Sequence, residues 1–253
     1  SRHASDAMVA YYMHIREQPF PTRAPSPLAS AGRRVAAGAV RHRYAILVVV
    51  VLGYLSGSLP WGLWLGQWLR GVDVRTLGSG NLGATNVYRQ LGPPIGLTVL
   101  ALDIAKGALP VFLLPHQAFA AGFPGGAEWC AIVAGLAAVG GHVFTCFAGF
   151  KGGKGVATTV GVLLALSPPA LGVFLLVFLA TLLTTRYVSL GSILGVLAFT
   201  VALALLEPGG VRSPSVVLGA VLSLLVIVRH KDNIGRLLKG EERRFAFTRG
   251  GRS

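Results

Sequence analysis

Apolar residues run along this chain in stretches that are hydrophobic on every side of a helix, punctuated by short polar loops. The first run extends from residue 44 to about 69 and is interrupted by Pro60; a second covers about 95–115 and a third 129–147. Apolar residues resume at 156 and continue to 183, broken by Ser167-Pro168-Pro169, and the last runs cover 188–206 and 216–228. A helical crossing of the bilayer needs about 20 apolar residues, so the pattern predicts an all-α, polytopic integral membrane bundle. Residues 1–43 are rich in Pro, Ala and Arg without a sustained apolar period and are expected to form a disordered tail. They contain no signal-peptide core. The bundle is expected to occupy residues 44–245, followed by a short tail over 246–253.

The number of crossings turns on residues 156–183, which could cross once or twice. Charge decides between them, because Lys and Arg in short loops mark the cytoplasmic side. The loop at 116–128 has no Lys or Arg and that at 207–215 only Arg212, whereas Arg70, Arg75, Arg89, Lys151, Lys154, Arg186 and the segment after 229 carry the positive charge. Two crossings with a turn at Ser167-Pro168-Pro169 gather every basic loop on one face. This predicts seven helices, N-terminus outside and C-terminus inside, with the helix after 156 short or re-entrant. The N-terminal tail runs against the arrangement: it carries seven arginines, and Arg41 and Arg43 lie beside the first helix.

Composition agrees with a membrane class and narrows the function. Of the 253 residues, 53% are hydrophobic and only 13% charged, about half the charged share of a soluble domain. The formal net charge of +14 would suit nucleic acid if it formed a continuous basic face on a soluble element. Here it is divided among loops between apolar runs, so nucleic acid is excluded as a partner; membrane lipids are expected to surround the chain, and anionic headgroups are a secondary attraction. Cys130 and Cys146 fall sixteen residues apart on one expected helix, about 24 Å at helical rise, too far for a disulfide. Neither pairs with a histidine at metal-ligand spacing, and no metal or cofactor is expected.

Three polar segments carry candidate chemistry. The first loop contains Gly78-Ser79-Gly80-Asn81-Leu82-Gly83-Ala84-Thr85-Asn86, with Arg89 beyond it. Its G-x-G-x-x-G spacing would signal a dinucleotide site only after a strand in a βαβ unit, which apolar helices do not provide. The local physics remains: glycines let backbone N–H groups face an anion, Ser79, Asn81, Thr85 and Asn86 add short polar groups, and Arg89 offers a bidentate fork. A hydrated connection is the alternative. The second segment, Lys151-Gly152-Gly153-Lys154-Gly155, joins two cations to the start of a helix, an anion site on dipole and donor grounds; positive-inside topology alone would also account for the lysines. The third places His230 and Asn233 three residues apart in a basic stretch, on one face if helical, or else within a stop-transfer tail. Within the apolar runs, Asp103 and Lys106 are expected to pair with each other facing the bundle.

In order between apolar helices, Gly-Ser-Gly-Asn-Leu-Gly-Ala-Thr-Asn-x-x-Arg, Phe-Lys-Gly-Gly-Lys-Gly-Val-Ala-Thr and Arg-His-x-x-Asn-Ile-x-Arg-Leu-Leu-x-Gly-Glu resemble the bacterial acyl-phosphate:glycerol-3-phosphate acyltransferases of the PlsY family. The resemblance covers residues 47–245. It implies transfer of a fatty acyl group from acyl phosphate to glycerol 3-phosphate at the cytoplasmic side of the bacterial inner membrane. It further implies that Ser79, Arg89, His230 and Asn233 are catalytic, that the 151–155 loop holds substrate phosphate, and that Glu241 supports the site's structure. One position departs from the family's Gly-His-x-Phe-Pro: Thr145 follows Gly141-His142-Val143-Phe144.

Acyl phosphate already carries a good leaving group and the acceptor brings its own hydroxyl, so positioning and charge neutralisation suffice. The chain has neither a G-x-S-x-G elbow nor a His-x4-Asp dyad, and direct attack by the 1-hydroxyl is expected, its proton passing to a substrate phosphate or to His230. A carrier for a phosphorylated or anionic solute is the alternative from another class, though the chain shows no matching halves.

Overall fold

A computed structural model of the protein describes residues 27–117 and 122–246, with side chains from His42 onward. Two units divide at residue 40; the first contributes only helical backbone to the described part, and the account below concerns the second. The tail expected over 1–43 lies outside the described residues as far as 26. From Pro27 the backbone is helical and runs as α1 (Pro27–Ser58), so the boundary expected at 43 falls within a helix. Ala and Arg, abundant from 27 to 43, are among the strongest helix formers.

The remaining helices are α2 (Trp61–Arg70), α3 (Ala84–Leu91), α4 (Pro93–Leu113), α5 (Gly126–Val143), α6 (Val156–Leu166), α7 (Pro168–Thr185), α8 (Val188–Leu206), α9 (Pro214–Arg229) and α10 (Lys231–Leu238). Among the described residues all regular structure is helical. Proline opens α4, α7 and α9, where its missing N–H would have had no helical partner anyway. Polarity is inverted relative to a soluble protein: Leu176, Leu183, Leu205 and Phe112 are exposed while Asp103, Lys106 and His142 are buried. Such a surface suits lipid.

Five helical spans are long and apolar enough to cross a membrane, six if the bent pair α9–α10 counts as one. The seventh crossing expected from the sequence is α6, whose 11 residues rise only about 16 Å against a hydrocarbon core of about 30 Å. The break at Ser167 falls where Ser-Pro-Pro predicts it. Lys154, just before α6, and Ser189, early in α8, both reach the Asn233–Glu242 pair, so α6 leaves this end of the bundle and α7 returns to it.

Without water to expel, helices in lipid associate through close packing of small residues. A Cβ on Gly57 would lie 1.8 Å from the Ala138 carbonyl oxygen, and one on Gly141 2.2 Å from that of Tyr54, so α1 and α5 touch backbone to backbone. Gly107 of α4 and Gly161 of α6 bring those helices together likewise, with distances of 2.2 and 2.0 Å to facing carbonyls.

The first span is broken between α1 and α2 at Leu59-Pro60. A break inside a membrane frees carbonyls that something must satisfy. Thr145 Oγ1 donates to the Ser58 carbonyl, and Lys106 Nζ donates to that of Leu59 at 2.7 Å. Cys130 sits in α5 and Cys146 in the 3-10 turn beyond its end, not on one helix; both are free thiols.

Candidate active site

The first polar loop, between α2 and α3, is folded around Asn86. Its side-chain amide donates to the carbonyls of Leu77 at 3.1 Å and Asn81 at 3.0 Å, and its Oδ1 accepts from the Ser79 N–H at 3.0 Å. Asn81 Oδ1 in turn accepts from the Gly83 N–H at 2.8 Å. These two asparagines, expected to face a phosphate, are spent on the loop itself: a short turn leaves many backbone groups without helical partners, and a buried amide supplies them. Gly78 and Gly80 stand at φ +60° and +69°, where a side chain would be strained. A Cβ on Gly62 would lie 1.9 Å from the Leu82 carbonyl oxygen, so the loop is pinned to α2. Ser79 is exposed at its tip, and Thr85 and Arg89 follow on α3, both partly buried.

Before the lysine loop, Thr145 has φ −64°, the value to which proline's ring is locked. The path a proline would impose is therefore kept, and the hydroxyl adds the bond to Ser58 that proline lacks. Phe150 then takes φ +60°, unusual for a bulky residue, and its N–H reaches the Thr145 carbonyl at 2.8 Å. Gly152 and Gly153 donate to the carbonyls of Val143 at 3.0 Å and His142 at 3.1 Å. Neither glycine has room for a side chain: a Cβ on Gly152 would lie 1.9 Å from the His142 carbonyl oxygen, and one on Gly153 2.1 Å from His142 Nε2. Lys151 is exposed, Lys154 is partly buried, and Gly155, at φ +84°, leads into α6.

The third segment follows α9, whose axis makes a 61° bend into α10. His230 sits at the bend, buried, with Nδ1 2.7 Å from the Val226 carbonyl. A carbonyl only accepts, so Nδ1 carries the proton and Nε2 the lone pair. Asn233, buried one turn on, has both ends engaged: Oδ1 accepts from Lys154 Nζ, and Nδ2 donates to Glu242 Oε1 at 2.6 Å.

The expected supporting carboxylate was Glu241; the structure gives that position to Glu242. Glu241 is exposed, while Glu242 is buried and accepts from Ser189 at 2.8 Å, Asn233, and Arg236 Nε at 2.8 Å. Past Gly240 the chain has no regular structure, and of the two neighbours only Glu242 is turned into the bundle. Burial pushes the Glu242 carboxyl up, but the hydrogen bonds from Asn233, Ser189 and Arg236 outweigh it and hold the group below its ordinary value.

Through Glu242 the three segments meet. Arg89 Nη2 donates to the Arg243 carbonyl at 3.1 Å, and Arg229 Nη2 approaches the Gly153 carbonyl at 3.4 Å. Arg89, Lys154, Arg236 and Arg243 interact electrostatically around the Glu242 and Asp232 carboxylates, and burial brings Lys154 down to about 8. The result is an under-neutralised cationic cluster at one end of an apolar bundle. Such a cluster suits phosphate. A family model described as glycerol-3-phosphate acyltransferase matches residues 47–240 of the chain.

The chain belongs to that family. Among its relatives, the glycerol-3-phosphate acyltransferase of Geobacter sulfurreducens is 46% identical over 200 residues, 79% of this chain and 97% of its own length. That of Desulforudis audaxviator is 44% identical over 203 residues, 80% and 97%. A crystal structure of PlsY, an integral membrane glycerol 3-phosphate acyltransferase, in its glycerol 3-phosphate form has a TM-score of 0.71 and 40% identity, covering 79% of this chain and 96% of that one. Its lysophosphatidic acid form gives 0.69. Within this glycerol-3-phosphate acyltransferase family member, sequence reasoning passed over Arg229, Arg236, Ser189 and Glu242. The two arginines lie inside the quoted third motif and their charge was a signal; a serine at the start of an apolar helix carries none.

Proposed function

We propose that this multi-pass membrane protein transfers a fatty acyl group from acyl phosphate to the 1-hydroxyl of glycerol 3-phosphate, giving lysophosphatidate in the first step of phospholipid synthesis, at the cytoplasmic face of a bacterial inner membrane. The observation that carries this is the junction of the lysine loop with the third segment, Lys154 on Asn233, beside Arg89. Four cations, Arg89, Lys154, Arg236 and Arg243, share the carboxylates of Glu242 and Asp232 there, which leaves positive charge for phosphate. In the reaction the glycerol oxygen bonds to the acyl carbon, the bond from that carbon to the phosphate oxygen breaks, and inorganic phosphate leaves. Arg89 and Lys154 neutralise phosphate, the Ser79 hydroxyl adds a donor, and Lys151 draws anions to the mouth. Asn233 positions Lys154. The hydroxyl proton passes to a substrate phosphate, or to His230 Nε2, whose lone pair is left available by the Nδ1 bond to Val226.

The test is purified protein with glycerol 3-phosphate and either acyl phosphate or acyl-CoA. Lysophosphatidate from acyl phosphate is expected; none from either donor overturns the enzyme and leaves a carrier of anionic solutes. The pH profile adds a signature. Lys154, at about 8, loses its charge as pH rises through that value, so kcat/KM for glycerol 3-phosphate falls on the alkaline side. Lys154→Arg, which stays charged, moves the fall upward; an unmoved profile assigns it to another group.

A further inference from the structure

The apolar interior holds a second polar cluster that the reaction above does not use. Asp103 of α4 pairs with Lys106 at 2.7 Å, and His142 of α5 has Nδ1 3.7 Å from the same carboxylate oxygen. All three are at most 5% exposed. Each also touches something that matters elsewhere. Lys106 Nζ holds the Leu59 carbonyl at the break in the first span, and Ser56 Oγ donates to the Lys106 carbonyl at 2.8 Å. His142 presents Nε2 to Gly153 and its own carbonyl to the Gly153 N–H. Between these groups lies a cavity of about 10 Å³, lined among others by Pro60, Leu82, Lys106, His142 and Gly153. Leu82 belongs to the first substrate loop and Gly153 to the second.

A charged pair deep in a bundle is costly to insert and is retained where its geometry is used. We infer that the Asp103–Lys106–His142 cluster is a positioning element, which sets the lysine loop, through the Gly152 and Gly153 N–H bonds to Val143 and His142, against the broken first span and so fixes where Lys154 meets phosphate. The inference rests on the acyl-transfer reading of the site. None of the three residues touches substrate: Asp103 orients Lys106 and faces His142, Lys106 fixes the helix break, and the His142 ring sets the closest approach of Gly153. A shift of about 1 Å in such a loop is enough to cost on the order of a hundredfold in rate.

Two sets of variants test it in the purified full chain, with thermal stability measured alongside KM and kcat. Asp103→Asn with Lys106→Met removes both charges together. The folded double variant is expected to lose about tenfold or more in kcat/KM for glycerol 3-phosphate, mostly in KM; a folded variant with unchanged KM overturns the inference. The second set is a cycle. Gly153→Ala places a methyl against His142 Nε2 and is expected to abolish phosphate affinity or folding. Adding His142→Ala removes the obstruction and should recover at least about tenfold of the loss, within the range of couplings between contacting residues. If the two changes multiply independently, or if the pair of alanines is as defective in folding as Gly153→Ala alone, His142 does not set the loop. Should the charge-neutral variant not fold, this cycle decides the matter. Inactive wild-type protein with both donors would instead remove the acyl-transfer reading.

Discussion

Asp73 meets Arg75 at 2.6 Å in the first polar loop, and Asp103 meets Lys106 at 2.7 Å inside the bundle. The contacts are alike in length and unlike in consequence. The first pair is 29% and 43% exposed, and its charges are hydrated with or without each other; the second pair is 2% and 4% exposed. Exposed pairs contribute about 0–1 kcal/mol. Buried pairs gain little over an apolar replacement, yet breaking one by removing a single partner costs about 3–5 kcal/mol, because the other charge is stranded. The distance between charges therefore says little. What surrounds them decides their weight.

The largest effect expected from this contrast is that of Lys106→Met alone. It strands Asp103 and leaves the Leu59 carbonyl at the helix break without its ammonium donor. Thermal unfolding in detergent should show a loss of about 3–5 kcal/mol, and the further change Asp103→Asn should recover part of it. A single variant as stable as the parent would mean that water reaches Asp103, and the contrast with Asp73 would fail.

Next in size is Glu242 against Glu241, neighbours that divide along the same line. Glu242 is buried under three donors, and Glu241 is exposed. Glu242→Ala strands the buried Ser189 and Asn233, frees the part-exposed Arg236 and releases Asn233 from its role under Lys154, so a destabilisation of about 2–4 kcal/mol is expected from the unpaired buried groups, together with loss of turnover. Glu241→Ala should stay within about 0.5 kcal/mol of the parent, as for most surface changes. Equal effects of the two substitutions would refute the assignment.

The same line separates what could be read along the chain from what could not. Helical runs, the Ser167-Pro168-Pro169 break and the three basic loops are local in sequence and were legible. So was the Asp103–Lys106 pair, since residues three apart on a helix are neighbours. Residues whose roles depend on how an irregular segment packs, or on another helix, were not. Glu241 and Glu242 differ by one position, and only the packing of the C-terminal segment against α8 distinguishes them. Asn86 looks like a phosphate donor in the linear motif, yet its amide is consumed by carbonyls at Leu77 and Asn81 that are brought to it by the turn. His142 stood out only as part of the Gly-His-x-Phe stretch, and its contact with Gly153 is visible only once α5 and the lysine loop are folded together. The count of crossings fell between these cases: charge parity implied an outward and a returning leg, but the shortness of α6 keeps it from being a full-length span.

The smallest expected effect lies at Asp73 and Arg75, and it separates charge from capping. Asp73 accepts from the Arg75 backbone N–H at 2.9 Å as the N-cap of a 3-10 turn, and it also receives the Arg75 guanidinium. The hydrogen bond from Arg75 is the chief reason its carboxyl sits below the ordinary value. Arg75→Ala removes the ion pair and spares the cap, so stability should change by less than about 0.5 kcal/mol, and raising the salt concentration in the parent should mimic it. Asp73→Ala removes the cap as well and should cost about 1 kcal/mol, with a rise in KM because the same turn leads into Gly78-Ser79-Gly80. Asp73→Asn should largely restore both, since an amide oxygen caps nearly as well as a carboxylate. If Asp73→Asn were as impaired as Asp73→Ala, charge rather than the turn would be the contribution, and the exposed pair would weigh more than its hydration allows.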